Sequence, residues 1–127
     1  EIMGYTSEVH IAVPKKDERR MDTLLTRHNL MAENEDSYKF KKTHHTQRWK
    51  EHTNGVTSDK SKDIILYQAL CLKWYEEHQD VQDVNVFIEM GEEDDRCIVC
   101  VGEDNAIHSA IGDYYNVFNI NMVVELQ

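Results

Sequence analysis

Hydrophobic residues recur with two periods along the chain, and each period predicts one kind of secondary structure. From Ser7 to Val13, large apolar residues stand at every second position, which predicts a half-buried strand. Residues 16–32 carry apolar side chains at helical spacing and predict an amphipathic helix that follows Pro14. A second alternation, which puts Tyr38 and Phe40 on one face, predicts another strand.

The second half of the chain contains two segments with helical features. The segment from Ile64 to Tyr75 is apolar on nearly every side, so we expect a helix that lies between a sheet and another element. Ser61 or Asp63 is positioned to cap this helix at its N-terminus. Residues 81–90 place apolar side chains at helical spacing and predict a further helix, or a kinked continuation, that ends at Gly91.

The C-terminal part of the chain completes the predicted fold. Residues 97–101 predict a short strand, and residues 105–113 predict an irregular stretch. Large apolar residues of the segment 114–126 share one face, which predicts one long strand. The resulting order of elements predicts an α+β fold for residues 1–127: a single-domain two-layer sandwich in which helices pack on one face of a mostly antiparallel sheet.

The polar segment 44–62 has no strong periodicity. It contains the turn dipeptide Asn54-Gly55, which is common in hairpins. A structureless loop of that length is rare in a compact domain. The segment is therefore expected to be a polar hairpin or a mobile functional loop inserted in the domain.

Composition limits the class of protein. A chain of 127 residues, 40% hydrophobic and 30% charged, can bury a core without metals or disulfides. The sequence contains neither an apolar run of about 20 residues nor a signal-peptide pattern, and its three cysteines are an odd number, so we expect a cytoplasmic protein with no membrane contact. Glu1 and Ile2 are expected to be a cloning remnant before a native start at Met3.

The stretch CIVCVGED, from Cys97 to Asp104, resembles a CxxC metal or redox site. Zinc sites of this kind lie on tight turns, with two more ligands nearby. In a strand, Cys97 and Cys100 point to opposite faces and cannot share a metal or a disulfide. The sequence therefore favours two buried structural cysteines.

Charge is segregated along the chain, whose net charge is −10. This balance argues against a general nucleic-acid binder. Segment 38–62 has seven Lys or Arg and two acids, whereas segment 76–104 has eleven acids and one Arg. The pattern indicates either an electrostatic binding surface or two solvated faces. The candidate partner-binding residues are Glu92, Glu93, Asp94, Asp95, Glu103 and Asp104.

Catalytic and metal-binding patterns are weak. The sequence contains no Walker loop, G-x-S-x-G or H-E-x-x-H motif, and no Ca²⁺-loop spacing. His44, His45 and His52 lack further ligands, and His108-Ser109 lacks a third catalytic group. We therefore expect a protein that is not an enzyme and that holds no cofactor or metal.

Three short motifs resemble a group of small proteins encoded by bacteriophages and prophages. They are MGYTSEV from Met3 to Val9, KWYE from Lys73, and VGED ending at Asp104. The matching positions are Gly4, Tyr5, Ser7, Trp74, Tyr75, Glu103 and Asp104. The resemblance implies a phage origin, and hence the host cytoplasm as location, but no particular activity.

Two functions from different classes follow. The leading hypothesis is a phage accessory protein that binds a host protein stoichiometrically through its acidic surface and inhibits it, as anti-defence proteins do. That partner would be basic or would itself bind nucleic acid. The alternative is a binder that sequesters a nucleotide-type signal with Tyr5, Ser7, Arg48, Trp49 and Lys50. The apolar segment that begins at Ile64 further predicts a homo-oligomer.

Overall fold

The computed structural model describes residues 6–34, 38–91 and 95–112, and the backbone of residues 118–120 and 124–126. Two helices and seven strands lie in these ranges, and a 3-10 turn at Lys15–Asp17 precedes the first helix. In chain order they are β1 (Ser7–Pro14), α1 (Glu18–Arg27), β2 (Lys41–Thr53), β3 (Val56–Leu72), α2 (Gln79–Glu89), β4 (Cys97–Gly102), β5 (Ile107–Ile111), β6 (Phe118–Ile120) and β7 (Val124–Leu126).

Five strands form one antiparallel sheet in the order β2-β3-β1-β4-β5. Strands β6 and β7 form a separate two-stranded pair. Both helices bury their apolar residues in the same cluster as one face of the sheet; Leu25 and Val84 are fully buried there. The α+β fold with helices on one face of an antiparallel sheet is thus confirmed.

The pleat of the sheet separates two hydrophobic clusters. Ile11 of β1, with its cross-strand partners Tyr67 and Ile98, belongs to the cluster on the helix side. The next residue, Ala12, belongs to the cluster on the other face together with its partners Leu66 and Cys97. Because neighbouring side chains leave a strand in opposite directions, the central strands bury side chains on both faces.

The segment from Ile64 to Tyr75 is not the expected helix. Its residues up to Leu72 belong to β3, a strand paired with β1 on one side and β2 on the other. Ile65 packs against the helices and Leu66 against the opposite cluster. A strand buried on both faces has a continuous apolar run, which resembles a helix that is apolar on every side.

This correction removes the basis for the homo-oligomer prediction. That prediction needed a partner to cover the outer side of an apolar helix. In β3, however, Ile64 and Leu66 are already buried within the single chain, at 3% and 0% exposure. The apolar run is therefore explained by the sheet, without a second subunit.

The polar segment 44–62 forms most of a long hairpin. Asn54 and Gly55 both have positive φ, 53° and 76°, as a two-residue hairpin turn requires. Residues 56–63 pair with β2 and, within the described part of the chain, with no other strand. They form a two-stranded arm that extends about 26 Å beyond the sheet at about 3.3 Å per residue.

Other boundaries also differ from the expectations. Helix α1 is shorter than the predicted 16–32, and the second strand begins at Lys41 instead of Tyr38. The stretch 105–113, expected to be irregular, contains β5. Within the single strand expected over 114–126, the described residues form two short strands, β6 and β7, paired with each other, and residues 114–117 and 121–123 lie outside the described residues. Among the described residues, no helix is long and apolar enough to cross a bilayer.

A buried ion pair connects the helical layer to the sheet. Arg96 precedes β4, and its Nε donates to Asp17 Oδ2 at 3.0 Å, with both side chains at most 9% exposed. Its Nη1 donates to the Phe87 carbonyl at 2.6 Å, and its guanidinium lies 3.9 Å from the centre of the Phe87 ring. One side chain thus joins the start of α1 to the end of α2.

We expect Arg96→Ala to lower the free energy of unfolding by about 3–5 kcal/mol, because it leaves the buried carboxylate of Asp17 without its cation. Lys50→Ala is the control, since Lys50 and Asp59 form an exposed ion pair that contributes little. Urea unfolding followed by circular dichroism measures both variants. Equal midpoints for the two variants would contradict the structural role of Arg96.

Candidate functional site

The two cysteines of the CxxC motif lie on opposite faces of β4. Cys97 packs in the cluster on the outer face, and Cys100 packs in the cluster under the helices. Both side chains are buried, and none of the three cysteines Cys71, Cys97 and Cys100 forms a disulfide. This geometry agrees with the interpretation of Cys97 and Cys100 as structural residues.

The environment of Cys100 keeps its thiol protonated. Burial raises the pKa of Cys100 and outweighs the hydrogen bonds from the hydroxyls of Ser7 and Ser109, which act in the opposite direction. Because the thiolate is the reactive form of cysteine, this sulfur is a poor nucleophile. The hydroxyl of Ser109 is thus engaged with Cys100. The ring of its neighbour His108 contacts Asp104, with 2.9 Å between Nε2 and Oδ1.

Residues from three distant parts of the sequence meet at one end of the sheet. Ser7 begins β1, Gly102 ends β4, and the two residues are paired. The carboxylate of Glu103 accepts hydrogen bonds from the backbone N–H of Thr6 at 2.9 Å and from its hydroxyl at 2.8 Å. These two bonds, the backbone one first, lower the pKa of Glu103 and keep it ionised.

The loop after β3 contributes aromatic side chains to the same end. Trp74 is 8% exposed and packs edge-on against Phe40, with ring centres 5.8 Å apart. Tyr75 packs edge-on against His78 at 5.2 Å. With Ser7, Cys100 and residues of β5, these aromatics line a cleft of about 320 Å³.

Four carboxylates lie at this end of the sheet, and we call them the acidic end: Glu76, Glu77, Glu103 and Asp104. Glu76 and Glu77 line the cleft, Asp104 contacts His108 at its edge, and Glu103 lines a separate cavity that shares Ser7 with the cleft. Asp104 accepts from the backbone N–H of Ala106 and contacts His108, so it also holds the β4–β5 turn. Glu76 and Glu77 are exposed and form no ion pair with any residue that the structure describes.

Asp95 does not lie in one patch with Glu103 and Asp104, as the acidic surface predicted from the sequence required. Asp95 lies before the other end of β4, about 17 Å of strand away from Glu103 at about 3.4 Å per residue. It forms ion pairs with Lys16 and Lys62, each at 3.3 Å. Glu92, Glu93 and Asp94 lie outside the described residues.

The alternative ligand site is not assembled within one chain. Arg48 pairs with Ser61 on the hairpin arm, whereas Ser7 pairs with Leu72, so about 37 Å of β3 separates the two at about 3.4 Å per residue. The arm contains a shallow cavity of about 530 Å³ beside residues 48–50. Arg48, Trp49 and Lys50 all line this cavity, although the pleat directs successive side chains of β2 to alternate faces. Tyr5 lies outside the described residues.

The histidines of the hairpin are also separated. His44 and His45 are neighbours in β2 and point to opposite faces. His44 contacts Glu18 at 3.4 Å, and His52 contacts the Thr57 hydroxyl at 2.8 Å. In residues 6–34, 38–91 and 95–112, no three His, Cys, Asp or Glu side chains form a group that could hold a metal ion.

Glu76 and Glu77 are the site residues that the sequence analysis did not select. They belong to the acidic segment that begins at Glu76, but the run of four acids before Arg96 is denser. The useful signal was their position directly after Trp74-Tyr75, two of the positions that carry the phage resemblance.

Comparisons of this chain with protein-family models, with curated proteins and with solved structures found no match. The candidate site therefore rests on the geometry of the acidic end.

We expect a thiol reagent such as 5,5′-dithiobis(2-nitrobenzoate) to modify one cysteine of the native protein rapidly. Cys71 is exposed, whereas Cys97 and Cys100 are buried. Absorbance should report one fast equivalent, and two more after unfolding in guanidinium. The Cys71→Ser variant should lose the fast phase. Fast modification of Cys97 or Cys100 in the folded protein would contradict their assignment as structural residues.

Proposed function

We propose that this protein acts by stoichiometric binding and not by catalysis, and that its acidic end docks on a positively charged surface of another protein. The observation that carries this proposal is that Glu76 and Glu77 from one loop and Glu103 and Asp104 from another lie at the same end of the sheet, beside two cavities that share Ser7. The structure keeps these charges outward, at the end of a rigid sheet.

The four carboxylates differ in how they are held by the rest of the chain. Glu103 is fixed by Thr6, and Asp104 is fixed by its own turn, so their positions are defined before any partner arrives. Glu76 and Glu77 form no ion pair with the described residues, so a Lys or Arg of another protein can pair with them without breaking an ion pair of this kind. Pre-organised carboxylates and available ones together favour recognition of Lys and Arg side chains.

The centre of the site has the anatomy of a protein interface. Protein interfaces combine aromatic residues at the centre with polar residues at the rim. Here Trp74 and Tyr75 line the cleft together with Glu76 and Glu77, and Asp104 contacts His108 at its edge. A long basic side chain of the partner can place its aliphatic stem along the aromatic rings while its charged group meets the rim.

The resemblance to phage-encoded proteins supports a host protein as the partner. Five of its seven matching positions lie at this end of the sheet: Ser7, Trp74, Tyr75, Glu103 and Asp104. Gly4 and Tyr5 lie outside the described residues. A phage accessory protein that inhibits a basic or nucleic-acid-binding host protein, for instance in host defence, fits this site. The host cytoplasm is the corresponding location.

The nucleotide-binding alternative has weaker support, since about 37 Å of β3, at about 3.4 Å per residue, separates Ser7 from Arg48. It remains testable by thermal shift, because any ligand of the folded state must raise the melting temperature. Under the proposed function, millimolar nucleotides leave the melting temperature unchanged.

We expect the double variant Glu76→Lys/Glu77→Lys to lose capture of its partner from host lysate, by on the order of tenfold or more, because two charges are reversed at the interface, a net change of four units. Quantitative pull-down at low and high salt measures this. The wild type should release its partner as salt rises, and the same partner band should disappear with the variant.

The matched control is Glu51→Lys/Glu89→Lys, which changes the net charge by the same amount on the hairpin arm and at the far end of α2. It should retain the partner. Equal loss in both double variants would mean that net charge alone governs capture. Capture that is indifferent to salt and to both variants would remove the proposed function.

A further inference from the structure

A second surface, of opposite charge, lies between the two helices. A groove of about 590 Å³ runs between α1 and α2, with Arg19, Arg20 and Arg27 on one wall and Val86, Phe87 and Met90 on the other. It lies on the helical layer, whereas the acidic end is formed by loops at the end of the sheet. The two surfaces therefore do not depend on the same residues.

The arginine wall has a regular spacing. Arg19, Thr23 and Arg27 follow one another at i, i+4 and i+8 on α1, so they form one row along the helix. Arg27 faces Asp83 across the groove at 3.7 Å. Arg19 and Arg20 form no ion pair with any residue in the part of the chain that the structure describes. Two uncompensated cations in a chain of net charge −10 indicate an anionic partner.

The opposite wall is apolar and exposed. Val86 and Met90 are four residues apart on α2 and are 51% and 76% exposed. Phe87 between them is held in place by the guanidinium of Arg96, 3.9 Å from its ring centre. Leu24 of α1 lies at the bottom of the groove and is 8% exposed. The groove thus has an ordered apolar floor beside a basic wall.

The shape of this groove favours a helix over a small molecule. Sites for small molecules enclose most of the ligand, but Val86 and Met90 leave this groove open along one side. From Arg19 to Arg27 the wall is about 12 Å long, at about 1.5 Å per residue, which is two turns of a docked helix. Grooves between helices bind amphipathic helices through apolar residues at i, i+3, i+4 and i+7.

We propose that the groove between α1 and α2 binds an acidic amphipathic helix of a partner protein. Its apolar face packs on Val86, Phe87 and Met90, and its Asp or Glu residues pair with Arg19 and Arg20. A second copy of this chain is a poorer occupant, because the exposed side of its α1 carries arginines, which would meet the arginine wall with like charge, and the exposed apolar residues of its α2 line the groove itself. This site is independent of the acidic end and of its basic partner.

The probe is a fluorescein-labelled peptide of 14 residues with Leu at i, i+3, i+4 and i+7 and Glu at the flanking positions. Two control peptides carry Lys in place of Glu, or the acidic composition in scrambled order. Fluorescence anisotropy with the full-length protein should show saturable binding of the acidic amphipathic peptide and no binding of either control.

Two variants test the two walls of the groove. Arg20→Glu should weaken binding of the acidic peptide by on the order of tenfold and should create binding of the Lys peptide, because the charge of the wall is reversed. Met90→Asp should weaken binding by a similar factor through loss of an apolar contact. Matched controls on the hairpin arm are Arg48→Glu and Val56→Asp, which are exposed and should leave the affinity unchanged.

Four outcomes overturn the proposal. The acidic peptide fails to bind, or it binds the wild type and the Arg20→Glu variant equally. Dodecanoate, a small anionic amphiphile, binds in the groove while the peptide does not. Sedimentation velocity shows a dimer of the wild type that Met90→Asp dissociates, which assigns the groove to a second copy.

Variants of the acidic end, such as Glu76→Lys/Glu77→Lys, should not affect peptide binding, so this site and the proposed function are tested separately.

Discussion

Neighbouring side chains of a strand point in opposite directions, and this alternation controls both the fold and the chemistry of the protein. It sends Ile65 under the helices and Leu66 to the other face, so β3 can be the second strand of five and still be buried on both sides. It also sends Cys97 and Cys100 to different clusters, which leaves the CxxC motif without a common metal or disulfide.

Much of the fold could be predicted from periodicity, and the errors share a physical cause. Helix α1 has one buried face, and β1 carries large apolar residues on its helix side but small or polar ones on the other, so both patterns are clear and predict the correct element. The segment from Ile64 to Leu72 has two buried faces, and its apolar run has no period that separates a strand from a helix. Pairing with β1 and β2 makes this segment a strand, and the residues with which it pairs are distant in sequence.

The sequence could predict that the candidate site is acidic, but not which residues form it. Charge segregation along the sequence indicated a carboxylate surface, and Glu103 and Asp104 belong to it. Sequence distance could not show that Asp95 lies before the opposite end of β4 and is neutralised by lysines, or that Glu76 lies beside Ser7. The groove between α1 and α2 was also hidden, because its arginines and its apolar residues lie about sixty positions apart in the chain.

The position of β3 between β1 and β2 is the central claim, since the two-faced core, the hairpin arm and the acidic end all follow from it. Nuclear Overhauser contacts in uniformly labelled protein test it directly. The account predicts cross-strand backbone contacts from Tyr67 to Ile11 on one side and to Lys42 on the other. Contacts between residues three positions apart along 64–72, without those to Ile11 and Lys42, would instead describe a helix and would contradict the account.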